Sequence, residues 1–290
     1  MKNGKNYMKE ILSLILFSIF LSNSLYAQNT NDTLQSIKKS GVIKIGYRAS
    51  LPPLSYENNK GIPEGYSIDL CTYIVDGVER ELGEKISIEY IAVNAENRFE
   101  ALYQKEIDIL CGAATETISR RKIVDFTLPI FVTGGSFMVR KRTDIKNNFA
   151  GKKIGVVSNT TTAMALKDLF EDTNISAEVV PFKTTAEGFN SLLDGEIAAF
   201  SSDQVVLIGL VVAAKNLGDF RILPDLFSFE TIALAVRRDD ADFRLIADSV
   251  LANLYRCDEI QTIFDKWFGG ITEGQTPALK SMFQLNSMPE

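Results

Sequence analysis

Hydroxyls and arginines stand close behind a run of small residues in the stretch 97–126, NRFEALYQKEIDILCGAATETISRRKIVDF. Small residues at Cys111-Gly112-Ala113-Ala114-Thr115 let a ligand approach the backbone closely. Thr117, Arg120 and Arg121 follow. A guanidinium grips a carboxylate through two parallel hydrogen bonds, so this is a seat for a small anion. Arg48 occupies a comparable place, just after the strand-like Val42-Ile43-Lys44-Ile45-Gly46 and before Pro52-Pro53. Taken alone, it reads more readily as a surface arginine. Ser158-Asn159-Thr160-Thr161-Thr162 opens a helix. Hydroxyls there cap the helix, and the free N–H groups and the helix dipole also suit an anion. Asp203 is a lone acid at the end of a strand, where it reads equally as a cap for the helix 204–213.

Composition narrows the chemistry. The chain of 290 residues contains no histidine, which excludes Ser-His-Asp and Cys-His catalysis and disfavours a zinc site. No metal or cofactor is expected. A net charge of −6 argues against nucleic acid as the partner, because binding phosphates calls for a basic face. Cys71, Cys111 and Cys257 are scattered without metal-like spacing; at most one disulfide can form, leaving one thiol free, and three buried thiols are the preferred reading. Lys2, Lys5 and Lys9 precede an apolar run, Ile11–Leu21, that is too short to span a membrane comfortably. Ser24-Leu25-Tyr26-Ala27 then offers a cleavage site, so residues 1–27 read as a signal peptide for a soluble protein outside the inner membrane.

The elements that position these groups recur. Phe99–Leu110 aligns with Phe189–Phe200, with Phe, Leu, Glu and Ile kept at equivalent places. Each segment is a helix leading into a strand, and each strand ends at a polar loop, at Cys111–Thr115 and at Ser201-Ser202-Asp203-Gln204. Two such units predict two similar α/β lobes with a site between the carboxyl ends of their strands. A helix is predicted from Ser67, acting as N-cap, to Gly83. Thr184 and Glu187 form a capping box. Strands are predicted at 86–91, 131–139, 151–157, 179–182 and 227–236, and helices at 240–255 and 258–268. A polar segment, 141–148, reads as a crossing between the lobes.

The ordered set GVIKIGYRASLPPLSYE, GIPEGYSIDL, ENRFEALYQKEIDILCGAATETISRRKIVDFTLPIF, GKKIGVVSNTT, GEIAAFSSDQ and FDKWFGG spans nearly the whole chain after residue 27. It resembles the family-3 extracellular solute-binding proteins of polar amino-acid ABC transporters, nearest their glutamate/aspartate-binding branch. The resemblance implies a type II periplasmic-binding-protein fold: two α/β lobes, two hinge crossings and ligand in the cleft. Residues 28–140 with 237–290 would form lobe 1, and 141–236 lobe 2. In the TxxR motif, Thr117-Ile118-Ser119-Arg120, the family's arginine grips the ligand α-carboxylate, so Arg120 takes that role. Thr115 and the backbone at Ala113 would line the same pocket, although many relatives carry a hydroxyl where Ala113 stands. Thr160 and Thr161 would meet the carboxylate from the second lobe, and Asp203 would pair with the α-ammonium. Arg48 stands where relatives binding basic amino acids carry an acid, and Arg98 is a second cation. Leu51 replaces a stacking aromatic ring. The resemblance therefore implies a monomeric periplasmic protein that captures glutamate, aspartate or another polar amino acid for a membrane permease or a chemosensor. The alternative on the same fold is a cyclohexadienyl or arogenate dehydratase, for which Glu96 and Glu116 are the nearby acids.

Overall fold

The computed structural model describes residues 33–143, 149–214, 218–270 and 274–289. The expected signal peptide, and most of the expected crossing at 141–148, lie outside them.

Two five-stranded sheets carry the molecule. The first is built from β1 (Val42–Tyr47), β5 (Ser87–Ala92), β6 (Ile109–Thr115), β7 (Val124–Thr133) and β13 (Glu230–Arg237), in the order β5-β1-β6-β13-β7. The second is built from β8 (Gly135–Arg140), β9 (Lys153–Val157), β10 (Glu178–Phe182), β11 (Ala199–Asp203) and β12 (Phe220–Ile222), in the order β10-β9-β11-β8-β12. A small sheet of β2 (Ser50–Leu51), β3 (Ser55–Glu57) and β4 (Pro63–Glu64) lies beside the first lobe's opening strand.

The two large sheets are assembled alike. In each, the first parallel strand (β1 or β9) is flanked by two parallel partners, β5 and β6 or β10 and β11. In each, the third strand pairs antiparallel with a strand that joins the lobes, β13 in the first and β8 in the second. The internal repeat is therefore structural: α3 (Arg98–Tyr103) feeds β6 as α5 (Thr185–Asp194) feeds β11. Leu102 of α3 is fully buried, whereas Tyr103, one residue further round the helix, faces solvent.

Pairing also locates the crossings. Residues 135–140 pair in the second sheet and 230–237 in the first, so both crossings lie upstream of the expected 140/141 and 236/237. The reason is hydrogen bonding: a crossing strand belongs to the sheet whose ladder it completes. The two crossings run side by side. Gly135 N–H donates to Ser228 Oγ at 2.9 Å, and Phe227 N–H donates to the Gly135 carbonyl at 2.9 Å. A Cβ at Gly134 would sit 1.9 Å from the Ser228 carbonyl oxygen, so no larger residue fits between them.

After α1 (Thr33–Ser40), helix α2 (Tyr66–Leu82) buries Ile68, Cys71, Ile74 and Val75 against the first sheet, the face its periodicity predicts. It ends at Gly83 in the left-handed region, φ +71°, where glycine carries no Cβ penalty. Its start departs from expectation. The cap position is Gly65, and Ser67 lies inside the helix, fully buried, donating to the Gly112 carbonyl at 2.8 Å. That bond ties α2 to the strand that lines the cleft.

The cysteines depart from expectation. Cys71 and Cys111 form a disulfide, and Cys257 is exposed, so none is a buried free thiol. Packing α2 on β6 brings the two Cα atoms to 6.3 Å, within bridging range. Their 40-residue separation gives no hint of that proximity. The thiol of Cys257 lies just beyond the last turn of α7 (Ala241–Arg256), away from the core. The closing segment FDKWFGG belongs to α8 (Glu259–Phe268). Phe268 packs on Tyr66 and Phe131, and the Trp267 indole donates to Asp69 at 2.7 Å, which locks the C-terminal helices onto lobe 1.

Candidate functional site

The cleft between the lobes is drawn together around a cavity of about 30 Å³. All eight residues singled out from the sequence, Arg48, Arg98, Ala113, Thr115, Arg120, Thr160, Thr161 and Asp203, line it.

Arg48 leaves the end of β1, and its backbone N–H donates to the buried Ser55 hydroxyl at 2.9 Å. Its stem crosses Gly112, where a Cβ would lie 2.9 Å from Arg48 Cγ; the small residue in β6 makes room for the arginine. Only 6% of the residue is exposed, and burial pushes its guanidinium down to about 10. It is not the surface arginine that its residue type alone suggests.

Arg98 opens α3 after a turn in which the Asn94 and Asn97 side chains accept backbone N–H groups. Its guanidinium donates to the Ala95 carbonyl and, across the cleft, to the Asn159 carbonyl at 3.0 Å. Burial first, then the charges of Arg48 and Arg120, lower it to about 9. Arg98 and Arg120 both lie within cation–π range of the Phe99 ring, at 4.7 and 5.3 Å.

The small residues predict a loop at 111–115. They continue β6 instead, because β13, returning from the second lobe, offers an antiparallel partner as far as Thr115. Arg120 follows in a short 3₁₀ turn. Its backbone N–H is held by Thr117 Oγ1 at 3.1 Å, and its guanidinium donates to the Thr115 carbonyl at 2.7 Å. Thr117 thus shapes the turn. Arg121 points away and pairs with Glu116 at 2.5 Å. Of the two acids weighed for catalysis, Glu116 is occupied by that pair and Glu96 is exposed; neither lines the cleft.

The second lobe contributes the start of α4 (Thr161–Asp172) and the end of β11. Thr160 is the N-cap: its hydroxyl accepts from Ala163 N–H at 3.1 Å and donates to the Val157 carbonyl at 2.7 Å. The hydroxyl is thus spent on capping, and what the helix start adds is its N–H groups and dipole. The capping box on α5 is partly realised: Thr184 caps Glu187 N–H at 3.2 Å, while the Glu187 carboxylate reaches Lys183 N–H instead of Thr184. Asp203 makes no side-chain cap to α6 (Gln204–Ala213). It is buried, and its Oδ1 has no hydrogen-bond partner among the described residues. Burial, and next the charge of Glu230, push its carboxyl up to about 7, against the opposing pull of Arg120.

Glu230 went unnoticed in the sequence. It is buried at the hinge and accepts from Thr115 Oγ1 at 2.5 Å, Thr161 Oγ1 at 2.6 Å and Ser228 Oγ at 2.9 Å. A signal existed: it is the only charge inside the apolar run 227–236. Leu51, Thr162, Thr185, Ser201 and Ser202 complete much of the wall. Among the described residues, none of the three arginines has a carboxylate in ion-pair range, and no group of His, Cys, Asp and Glu could hold a metal ion. The arrangement can hold anionic groups at its guanidiniums and a cationic group at Asp203.

Residues 43–270 match the model for bacterial extracellular solute-binding proteins, family 3. The chain is 31% identical over 262 residues to an L-glutamate/L-aspartate-binding protein of Pseudomonas aeruginosa, covering 89% of this chain and 87% of the relative. It is 31% identical over 261 residues to a glutamate/aspartate import solute-binding protein of Escherichia coli K12, covering 89% and 86%. Among solved structures, an ancestral arginine-binding protein bound to arginine superposes with a TM-score of 0.71 at 27% identity, covering 79% of this chain and 99% of that one.

Proposed function

The chain belongs to the bacterial extracellular solute-binding proteins of family 3, and we propose that it captures an acidic L-amino acid, glutamate or aspartate, by lobe closure and hands it to an ABC permease. Relatives of the chain include glutamate/aspartate-binding proteins and an ABC transporter glutamine-binding protein of Bacillus subtilis. Among the described residues, no helix is long and apolar enough to cross a membrane.

One observation carries the choice of ligand. Among the described residues, three cationic side chains without ion-pair partners face one cleft that also holds a single carboxylate oxygen without a hydrogen bond. In this reading the ligand α-carboxylate lies on Arg120 and the N–H groups at the start of α4. The α-ammonium lies on Asp203, Thr115 and the Ala113 carbonyl. The side-chain carboxylate lies on Arg48 and Arg98. Counting Glu230, behind Thr115 and Thr161 at the hinge, together with Asp203 in the cleft, the site sets three arginines against two carboxylates, net +1 when both acids are charged. A ligand of net −1 neutralises it, a neutral amide leaves it at +1, and lysine or arginine raises it to +2. Like charge confined in a closed cleft costs several kcal/mol. The arginine-bound ancestral neighbour shares the fold, but Arg48 and Arg98 here oppose a cationic side chain.

Calorimetric titration of the refolded, ligand-free chain from residue 28 onward with Glu, Asp, Gln, Asn, Arg and Lys tests this. Glutamate or aspartate is expected to bind at least tenfold tighter than the amides, with no detectable heat from Arg or Lys. Tight binding of either basic amino acid overturns the assignment of Arg48 and Arg98. Refolding matters, because ligand carried through purification masks binding.

A further inference from the structure

Glu230 touches neither the arginines nor the expected ligand position, yet it joins both lobes at the hinge. Its Oε2 is 2.5 Å from Thr115 Oγ1 in lobe 1 and 2.6 Å from Thr161 Oγ1 in lobe 2. The two threonine oxygens are themselves 3.1 Å apart. Three oxygens form a triangle, and the two hydroxyls supply two protons to its edges. Each proton can go to Glu230 or to the other threonine, and every such arrangement keeps both protons inside the triangle. The short contacts to Glu230 are those expected of hydroxyls donating to a carboxylate. Neither threonine therefore has a proton to direct into the cleft. Both present lone pairs there.

We propose that Glu230 is a positioning residue that turns the Thr115 and Thr161 hydroxyls into acceptors only, so that these two hydroxyls take the ligand's ammonium and leave the α-carboxylate to Arg120 and the N–H groups of α4. The inference rests on the amino-acid reading of the cleft. A hydroxyl wall free to donate would serve an ammonium or a carboxylate equally well. An acceptor wall beside Asp203 serves only the ammonium, which fixes which end of the ligand points to the hinge. Glu230 is itself held. Ser228 donates to its Oε1 at 2.9 Å while accepting from Gly135 N–H of the other crossing, so the acceptor set is anchored to both strands that join the lobes. Because Thr115 and Thr161 come from different lobes, the triangle also exists only when the lobes are together.

A double-mutant cycle tests this, read by calorimetry with the tightest-binding amino acid. Glu230→Ala is expected to weaken binding at least thirtyfold. Glu230→Gln should stay within fivefold of wild type, because its amide oxygen accepts both hydroxyls while its NH₂ donates to Ser228. In a Thr115→Val/Thr161→Val background, Glu230→Ala should change affinity less than threefold, since no hydroxyl remains to be oriented. Should the alanine variant not fold, Glu230→Leu, which fills the same space, carries the same cycle. Wild-type affinity in Glu230→Ala, an equal loss in the glutamine variant, or the same loss in both backgrounds overturns the inference. Failure of wild type to bind any amino acid defeats the proposed function instead, so the two failures are distinguishable.

Discussion

Ligand binding should fall steeply as the solution is acidified, and Asp203 is the reason. In the ligand-free cleft its carboxyl is pushed up to about 7, by burial and then by Glu230. An α-ammonium placed at the unpartnered Oδ1 favours the ionised form and pulls that value down. Binding then requires the ionised carboxylate, and any protein molecule with a neutral Asp203 must lose a proton first. The apparent affinity scales with the ionised fraction, so it is nearly full at pH 8 and falls roughly thirtyfold by pH 5.5, or about 2 kcal/mol. The carboxylates of glutamate or aspartate and the ligand ammonium keep their charges over this range, so the slope belongs to the protein. At pH 7, binding should expel about half a proton, visible as a calorimetric enthalpy that varies with the ionisation enthalpy of the buffer. The effect on stability has the opposite sense. The folded state holds this proton more tightly than the unfolded chain, so the penalty from Asp203 is absent below about pH 4 and grows as the pH rises toward 7. Asp203→Asn should accordingly raise the ligand-free Tm at pH 8 while abolishing tight binding at every pH. A wild-type affinity that stays flat from pH 5.5 to 8, with no buffer-dependent heat, refutes the reasoning.

Arg48→Gln should cost glutamate roughly 3–5 kcal/mol, the cost of breaking a buried charge pair, and cost glutamine less than tenfold; equal losses for acid and amide place Arg48 outside the side-chain subsite. Gly209 on α6 packs against Pro52 of the other lobe, where a Cβ would sit 2.1 Å from the carbonyl oxygen. Gly209→Val should hold the lobes apart and abolish the ligand-induced fall in radius of gyration by small-angle scattering; an unchanged fall shows that the contact is not needed for closure. Cys71→Ser/Cys111→Ser removes a cross-link of 40-residue separation, worth about 4 kcal/mol on chain-entropy grounds. Its Tm should drop by roughly 10 °C, and a drop below 3 °C shows that packing of α2 on β6 suffices without the bond.

The first-order layout was legible because it repeats. Phe99–Leu110 and Phe189–Phe200 predicted two like units, and their strands do occupy equivalent places in the two sheets. Arg48 was legible only through the family pattern; as a residue type it pointed to the surface, and what buries it is the missing side chain at Gly112, a relation between two strands. The strand ending at Thr115 reads as a loop in the sequence because its partner, β13, lies more than 110 residues away along the chain. The disulfide was hidden for the same kind of reason. Glu230 was overlooked because an acid in an apolar run looks like an edge or a turn, and its three hydroxyl donors come from three separate segments.

The charges in the cleft also bear on why closure should need a ligand. Arg48, Arg98 and Arg120 are all pulled below their ordinary range by burial, and Arg98 further by the other two. Asp203 is buried with an oxygen that has no partner among the described residues. Bringing these groups together without a counter-charge desolvates them for little return, since a buried charge repays its desolvation only through close partners. The direct bonds across the cleft, such as Arg98 to the Asn159 carbonyl and Thr161 to Glu230, offset only part of that cost. A zwitterion with an additional carboxylate supplies both missing signs at once. On the proposed reading, the groups that select the ligand therefore also penalise the empty closed state, which ties specificity to the closed form a permease would read. Neutralising one arginine would then act in two opposed ways, weakening the bound state and easing closure of the empty one. Arg48→Gln should accordingly compact in the absence of ligand more than wild type does, even as its glutamate affinity falls.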